Sequence, residues 1–170
     1  MLNTPRLSLI PATLPLARAE VADREEFARF LDARVPDNWP PETLAEALPL
    51  FLKEFEAAPD AVGWFGWYAI ASNEATLAGS IGFRGPPQNG EVEVGYSVLP
   101  QFQRRGYATE MVAALVHWAL GQPGVERVAA ETDEGNIASC RVLGKTGFAR
   151  VGVGNEPGSL RFVILARAPE

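Results

Sequence analysis

Residues Glu91–Leu120 read EVEVGYSVLPQFQRRGYATEMVAALVHWAL, a strand, a turn and a helix in immediate succession. From Glu91 to Val98 the alternation sets Glu91, Glu93, Gly95 and Ser97 on one face and Val92, Val94, Tyr96 and Val98 on the other. Pro100, which has no amide to give to a ladder, stops the strand. Apolar residues then recur at helical spacing from Tyr107 to Leu120. Between them, Gln103-Arg104-Arg105-Gly106-Tyr107-Ala108 sets two arginines and two small residues at the helix start. Gly106 and Ala108 let a ligand approach the backbone, and the free N–H groups and dipole of a helix N-terminus favour an anion. The same residues also suit a plain strand-to-helix turn with solvated arginines, and both readings stay open on physics alone.

Working outward, Trp64–Ala71 and Thr76–Phe83 are rich in aromatic and β-branched residues, and turn chemistry at Ser72-Asn73 and Gly85–Gly90 separates them from each other and from Glu91–Leu99. This predicts an antiparallel meander. Upstream, Leu7–Ile10 reads as a first strand ending at Pro11, and Leu14–Ala33 as one amphipathic helix or two with a break. Pro36–Pro41 is a loop, and Glu42–Ala57 a helix with Leu44, Leu48, Phe51, Leu52 and Phe55 on one stripe. Pro49 predicts a kink or break near Leu48. Downstream come a strand at Val125–Thr132, a helix at Ile137–Lys145, and strands near Phe148–Val153 and Leu160–Ala166. That order implies parallel pairing in the second half, hence an α/β fold with a mixed sheet and helices packed on it. Neither an internal repeat nor a linker interrupts residues 1–170, so one domain is expected.

Composition narrows the function. Hydrophobic residues are 47% and charged residues 21% of the chain, a globular balance. No apolar run approaches the roughly 18 residues of a membrane helix, so no membrane partner is expected. The net charge of -6 repels a polyphosphate backbone, which argues against nucleic-acid binding. The single cysteine, Cys140, fits a reducing, cytoplasmic setting. Leu7–Leu16 followed by Ala17-Arg18-Ala19 mimics a cleaved leader, but Pro11 and Pro15 break the apolar stretch and the strand reading is preferred. One histidine, His117, and one cysteine make a transition-metal site or a Cys–His dyad improbable on chemistry, because no third orienting group is evident.

Gln103-x-x-Gly106-x-Ala108 after a strand, with Val98 five residues before it, resembles the acetyl-CoA pyrophosphate loop of the GNAT N-acyltransferase superfamily. About 40 residues on, Asn136-x-x-Ser139-x-x-x-Leu143-x-Lys145-x-Gly147-Phe148 resembles the second signature of that superfamily. The likeness extends to Thr4-Pro5-Arg6-Leu7-Ser8-Leu9 and to Glu93-Val94-Gly95-Tyr96, so it spans nearly the whole chain. It implies a mixed, mostly antiparallel sheet that splays at the cofactor site. It also implies acetyl-CoA as cosubstrate: the backbone of Ser97 and Val98 would pair with the pantetheine arm, and Gln103, Arg104, Arg105, Gly106, Tyr107, Ala108 and Thr109 would cradle the pyrophosphate. Asn136 and Arg141 join the cofactor-binding candidates.

Many members carry a tyrosine, as proton donor to the departing thiolate, where this chain has Leu143. The branch that includes ribosomal-protein N-terminal (alanine/serine) acetyltransferases often has serine at the place of Ser139, which makes Ser139 the candidate donor here; as a first-turn serine beside the cap candidate Asn136 it also has an ordinary structural explanation. An α-amine, with a reference pKa near ~8, is mostly protonated at neutral pH, so a base or water relay helps. Glu93, on the face of the small Gly95, is the first candidate base and Glu131 the second. The expected reaction is direct acetyl transfer to a primary amine. The acceptor is a peptide or protein N-terminus by branch resemblance, or a small amine such as a polyamine, amino acid or antibiotic. Trp39, Trp64 and Trp67 are candidates for an apolar wall beside the acceptor cleft. A non-catalytic acyl-CoA-binding module is the alternative, and a homodimer is compatible with either.

Overall fold

Eight strands and five helices form among residues 1–166, the part of the chain that the computed structural model describes. The strands are β1 (Leu2–Asn3), β2 (Leu7–Pro11), β3 (Gly66–Ala71), β4 (Thr76–Phe83), β5 (Glu91–Val98), β6 (Arg127–Asp133), β7 (Ala149–Val153) and β8 (Ser159–Leu165). The helices are α1 (Leu14–Ala22), α2 (Arg24–Leu31), α3 (Glu42–Ala57), α4 (Tyr107–Leu120) and α5 (Ile137–Lys145). The strands make one sheet in the order β1-β2-β3-β4-β5-β6-β8-β7. Every pairing is antiparallel except β5 with β6. The parallel pairing expected throughout the second half is thus confined to one pair, because β8 inserts between β6 and β7 and pairs antiparallel with both.

β5 divides its partners along its length. Glu91–Glu93 pair with Arg127–Ala129 of β6 on one edge, while Val94–Val98 pair with Gly79–Phe83 of β4 on the other. Past Glu93 the β6 side of β5 is open, since β6 continues from Ala130 to Asp133 paired only with β8. The sheet splays here, as the resemblance implied.

The region from Leu14 forms two helices. Asp23 separates them, its carboxylate accepting from the amides of Glu25 and Glu26 at 3.0 Å each, so it caps α2 where α1 ends. α3 is continuous from Glu42 to Ala57 with the exposed Pro49 inside, so the predicted break does not occur, although Pro49 has no amide to give to the helix ladder. Only Phe55 of its stripe is fully buried, and Leu44, Leu48, Phe51 and Leu52 instead line a cavity against the sheet. α4 is the central packing element: Tyr107, Met111, Val112, Leu115, Val116 and Ala119 are buried at helical spacing.

Two strand glycines near the splay do different work. A Cβ on Gly79 would lie 2.3 Å from the Ser97 carbonyl oxygen, whereas one on Gly95 would meet nothing within 4 Å. Gly79→Ala is expected to lower the unfolding free energy by about 1–3 kcal/mol through backbone crowding, and Gly95→Ala to change it by less than about 0.5 kcal/mol. Chemical denaturation of both variants checks this, and equal losses would contradict the different surroundings.

Candidate active site

The open edge of β5 leads directly to the start of α4. Val98 ends the strand, its carbonyl accepting from Gln103 Nε2 at 3.0 Å, and a short helical turn at Pro100–Phe102 carries the chain round. Arg104 and Gly106 both take positive φ, 62° and 82°, which turns the backbone sharply before the helix. The first backbone hydrogen bond of α4 runs from Glu110 to the Gly106 carbonyl at 3.1 Å. The amides of Tyr107, Ala108 and Thr109 therefore lack acceptors among the described residues and form a positive concavity. An open strand edge that ends in unpaired amides fits an elongated ligand with an anionic end.

The side chains around this concavity differ in availability. Tyr107 is buried, with Arg6 over its ring, and it brings its backbone amide to the turn. Arg105 pairs with Glu74 at 2.7 Å and lies over the Phe102 ring, while Arg104 and Arg141 are exposed and unpaired among the described residues. Asn136 caps α5 by accepting from the Ser139 amide at 3.1 Å. Arg6 adds a cation that the strand reading of its segment passed over. Its Nη1 donates to the Arg105 carbonyl at 2.6 Å, and its Nη2 stands 3.1 Å from where a Gly106 Cβ would be. Glu110 orients Arg6 through a 2.7 Å ion pair; burial works against the Glu110 charge, but Thr4 and Arg6 outweigh it and hold the carboxyl below its usual range.

On the other side of β5 lies a cavity of about 500 Å³ between the sheet and helices α1 and α3. Its floor follows the strand register. Gly66, Gly82 and Gly95 stand opposite one another across β3, β4 and β5, and Tyr68, Ser80 and Ser97 form the next row. Glu93 lines the cavity and pairs with Arg84, an exposed side chain, at 3.0 Å. Glu131 also reaches it but is held by three hydrogen bonds: Oε1 accepts from Asn155 Nδ2 at 2.8 Å and Arg161 Nη1 at 2.9 Å, and Oε2 from the Asn155 amide at 2.9 Å. Arg161 continues to Glu91 and Glu91 to Arg127, a chain of ion pairs that ties β8, β5 and β6 together just below the splay. Of the two candidate bases Glu93 is the less engaged, with one ion pair to an exposed arginine against three hydrogen bonds on Glu131.

Tyr96 is a site residue that the sequence reading did not single out. Alternation puts it opposite Glu93, and on that face its hydroxyl reaches α5 and lies 2.8 Å from Ser139 Oγ. Burial raises the Tyr96 hydroxyl above its ordinary value against the pull of the Ser139 hydrogen bond, so it remains a neutral phenol. Leu143, at the place where many family members carry tyrosine, is buried in the core. The hydroxyl pair comes instead from β5 and the first turn of α5.

Glu20 on α1 was also missed, although its spacing to Leu16 places a carboxylate beside the apolar stripe of the helix. It lines the cavity, accepts from Trp39 Nε1 at 3.0 Å and, on the other oxygen, from the Tyr68 hydroxyl at 2.5 Å. Burial pushes its pKa up to about 7 despite both hydrogen bonds. The tryptophans do not form the expected wall. Trp39 and Trp67 are buried, Trp64, Trp67 and Trp118 pack into an aromatic cluster with Phe83, and the apolar wall is the α3 stripe. His117 is exposed on α4, and no cluster of metal-ligating residues occurs among the described residues.

A splayed mixed sheet, a turn with unpaired amides at a helix start and a cavity with carboxyl and hydroxyl groups across the same strand are the architecture of an acetyltransferase domain. Residues 6–149 match the family described as the acetyltransferase (GNAT) domain, and the chain belongs to that family. It is 29% identical over 149 residues, 87% of this chain and 89% of the relative, to the uncharacterized N-acetyltransferase YjdG of Bacillus subtilis (strain 168). Among solved structures it is similar to RimL, a ribosomal L7/L12 α-N-protein acetyltransferase in complex with coenzyme A, with a TM-score of 0.63, 17% identity and 95% of each chain covered. It is equally similar to the dodecameric spermidine N-acetyltransferase of Vibrio cholerae, with a TM-score of 0.64, 14% identity, and 96% of this chain and 95% of that one covered. At such identities the likeness shows the fold, and the protein is an N-acetyltransferase of the GNAT family whose acceptor the fold does not select.

Glu20 makes stability depend on pH in a defined direction. Its carboxyl holds its proton up to about 7 in the folded state against 4.5 as the ordinary value, so between these the folded chain binds more protons and stability falls as pH rises. Relative to Glu20→Gln, the parent is expected to lose roughly 3 kcal/mol across that window and to level off above it. Urea denaturation from pH 4.5 to 8 measures the difference, and parallel curves for parent and variant would contradict it.

Proposed function

We propose that this N-acetyltransferase uses acetyl-CoA and passes its acetyl group directly to a primary amine held in the cavity, with no covalent enzyme intermediate. The observation that carries the reading is the open β5 edge beyond Glu93 running into the three unpaired amides of α4. The backbone of Ser97 and Val98 would take the pantetheine arm as an added strand. Gln103–Thr109 would hold the pyrophosphate through the amides and Gly106, with Arg6 and Arg104 as cations nearby. Asn136 contributes by fixing the start of α5, and Arg141 is the exposed arginine of that helix. When bound, acetyl-CoA supplies an acyl group already activated as a thioester.

Glu93 acts as base, directly or through a water, and accepts the proton that the ammonium must lose before its nitrogen can attack. Its position on the face of Gly95 and Ser97 supports this, and the commitment of Glu131 to Asn155 and Arg161 makes Glu131 a structural anchor. Ser139 donates to the departing sulfur, and Tyr96 hydrogen-bonds to its hydroxyl and orients it. Among acceptors we rank a peptide or protein α-amine first, on the branch resemblance and because its lower reference pKa leaves more of it neutral. The acidic chain and the likeness to a spermidine enzyme favour a small polycation as the second reading. The single, partly buried Cys140 supports a reducing cytoplasmic setting.

Acetyl-CoA with a panel of N-terminal peptides and small amines is expected to give amine-dependent thiol release and an acetylated product by mass. Ser139→Ala should lower kcat on the order of 10²-fold with acetyl-CoA affinity nearly intact. Glu93→Gln should lose activity at neutral pH and recover part of it at high pH, where more acceptor is already neutral. Absence of amine-dependent thiol release would leave a CoA binder, and a Glu93→Gln profile parallel to the parent would remove Glu93 as base.

A further inference from the structure

The acceptor cavity holds a carboxyl group that the proposed transfer does not use. Glu20 is partly buried on the α1 side, and each of its oxygens accepts one hydrogen bond from a neutral donor, Trp39 Nε1 or the Tyr68 hydroxyl. Burial and the adjacent Glu20 push the Tyr68 hydroxyl well above its usual value, so it stays a donor. No cation among the described residues reaches Glu20. From its own helix Arg18 turns to Glu56 of α3 at 3.0 Å. From α2 Arg24 gives its guanidinium to the carbonyls of Val35, Pro36 and Trp39, with Asp37 at 3.6 Å. On the cavity floor Arg84 is paired with Glu93. A partly buried carboxyl group with hydrogen bonds but no counter-ion, open to a cavity, is costly to charge until a cation arrives.

Strand register sets the distance of this group from the reacting end. Tyr68 on β3 stands opposite Ser80 on β4, which stands opposite Ser97 on β5. Two strand spacings separate the Tyr68 and Ser97 backbones, about 10 Å. Between these ends the wall is apolar: Leu44, Leu48, Phe51 and Leu52 of α3 face the cavity with Phe55 and Phe65. Resting on the reading of this cavity as the acceptor site, we propose that Glu20 is its specificity residue and receives a second cationic group of the acceptor, joined to the reacting amine by an apolar chain. Trp39 and Tyr68 hold the carboxylate in place. The α3 stripe covers the chain, while the reacting nitrogen lies toward Glu93 and Ser97. The shared chemistry is a diamine-like acceptor, either a small polyamine or a peptide N-terminus whose first side chain is basic.

The test is calorimetry without acetyl-CoA, comparing 1,8-diaminooctane with n-octylamine at pH 6.5 in two buffers of different ionisation enthalpy. The monoamine is the more apolar ligand, so hydrophobic burial alone would favour it. The expected result is at least a tenfold tighter diamine, with a proton released as the ammonium displaces the one on Glu20. In Glu20→Gln both the preference and the release disappear, and thermal melting confirms that the variant is folded. A second pair, Lys-Ala-Ala against norleucyl-Ala-Ala, separates the sources: a Glu20-dependent preference here assigns a basic N-terminus, and one confined to the diamine assigns a small polyamine. No preference in either pair, or a preference that survives Glu20→Gln, overturns the proposal, and the parent data alone suffice to do so if the variant does not fold. Turnover is scored separately. A Glu20-dependent preference without acetyl transfer to any amine would leave this site standing and defeat the transfer reading, whereas acetylation of n-octylamine and n-octane diamine at equal kcat/KM would do the reverse.

Discussion

The partition of β5 between two neighbours is the constraint on which the rest of the site depends. A central strand normally satisfies its backbone on both edges, and buried unpaired backbone groups are costly. Here β5 gives its first three residues to β6 and its last five to β4, so its second half has one satisfied edge and one open one. The ion pairs Arg127–Glu91–Arg161–Glu131 lock the junction just below the divergence. Burial raises the Glu91 carboxyl, but Arg127 and Arg161 outweigh it and hold it below its usual range, so the lock is charged at neutral pH. Above it, Tyr96 leaves the sheet for α5 and meets Ser139. The splay thus creates the open edge and also brings a β5 side chain to the helix that carries the second signature.

Opposite chemistry lies on the two sides of this strand. Toward α4 the groups are donors: free amides, Arg6 and Arg104. Toward α1 and α3 the cavity surface carries the carboxyls of Glu20, Glu93 and Glu131, and the arginine that lines it, Arg84, is paired to Glu93. An anionic cosubstrate and a cationic acceptor would therefore approach from complementary sides, with β5 between them.

Much of this was legible in the sequence because local rules and tertiary packing agree along the second half of the chain. The boundaries of α4 at Tyr107 and Leu120 and of α5 at Ile137 and Lys145 follow from glycine, proline and cap chemistry, and both lie where the spacing predicted. The failures share a cause. The position of β8 between β6 and β7, and hence the extent of parallel pairing, is set by long-range register that no local window contains. Alternation placed Tyr96 on the face opposite Glu93, and its hydroxyl does reach α5 there, but its partner Ser139 lies 43 residues away and no local window pairs them. Glu20, Trp39 and Tyr68 lie 19 to 48 residues apart and meet only in the folded chain. The tryptophans were candidates for a cleft wall, yet their bulk serves the core, and the wall is built by the α3 residues that the sequence showed only as one apolar stripe.

The central claim is that acetyl-CoA adds to the free edge of β5 and rests on the first amides of α4. Amide hydrogen exchange with and without acetyl-CoA addresses it residue by residue. The account predicts slowed exchange in two segments together, Gly95–Val98 and Tyr107–Thr109, with the β6–β8 ladder unchanged. Binding that protects other segments and leaves both of these unaltered would contradict it.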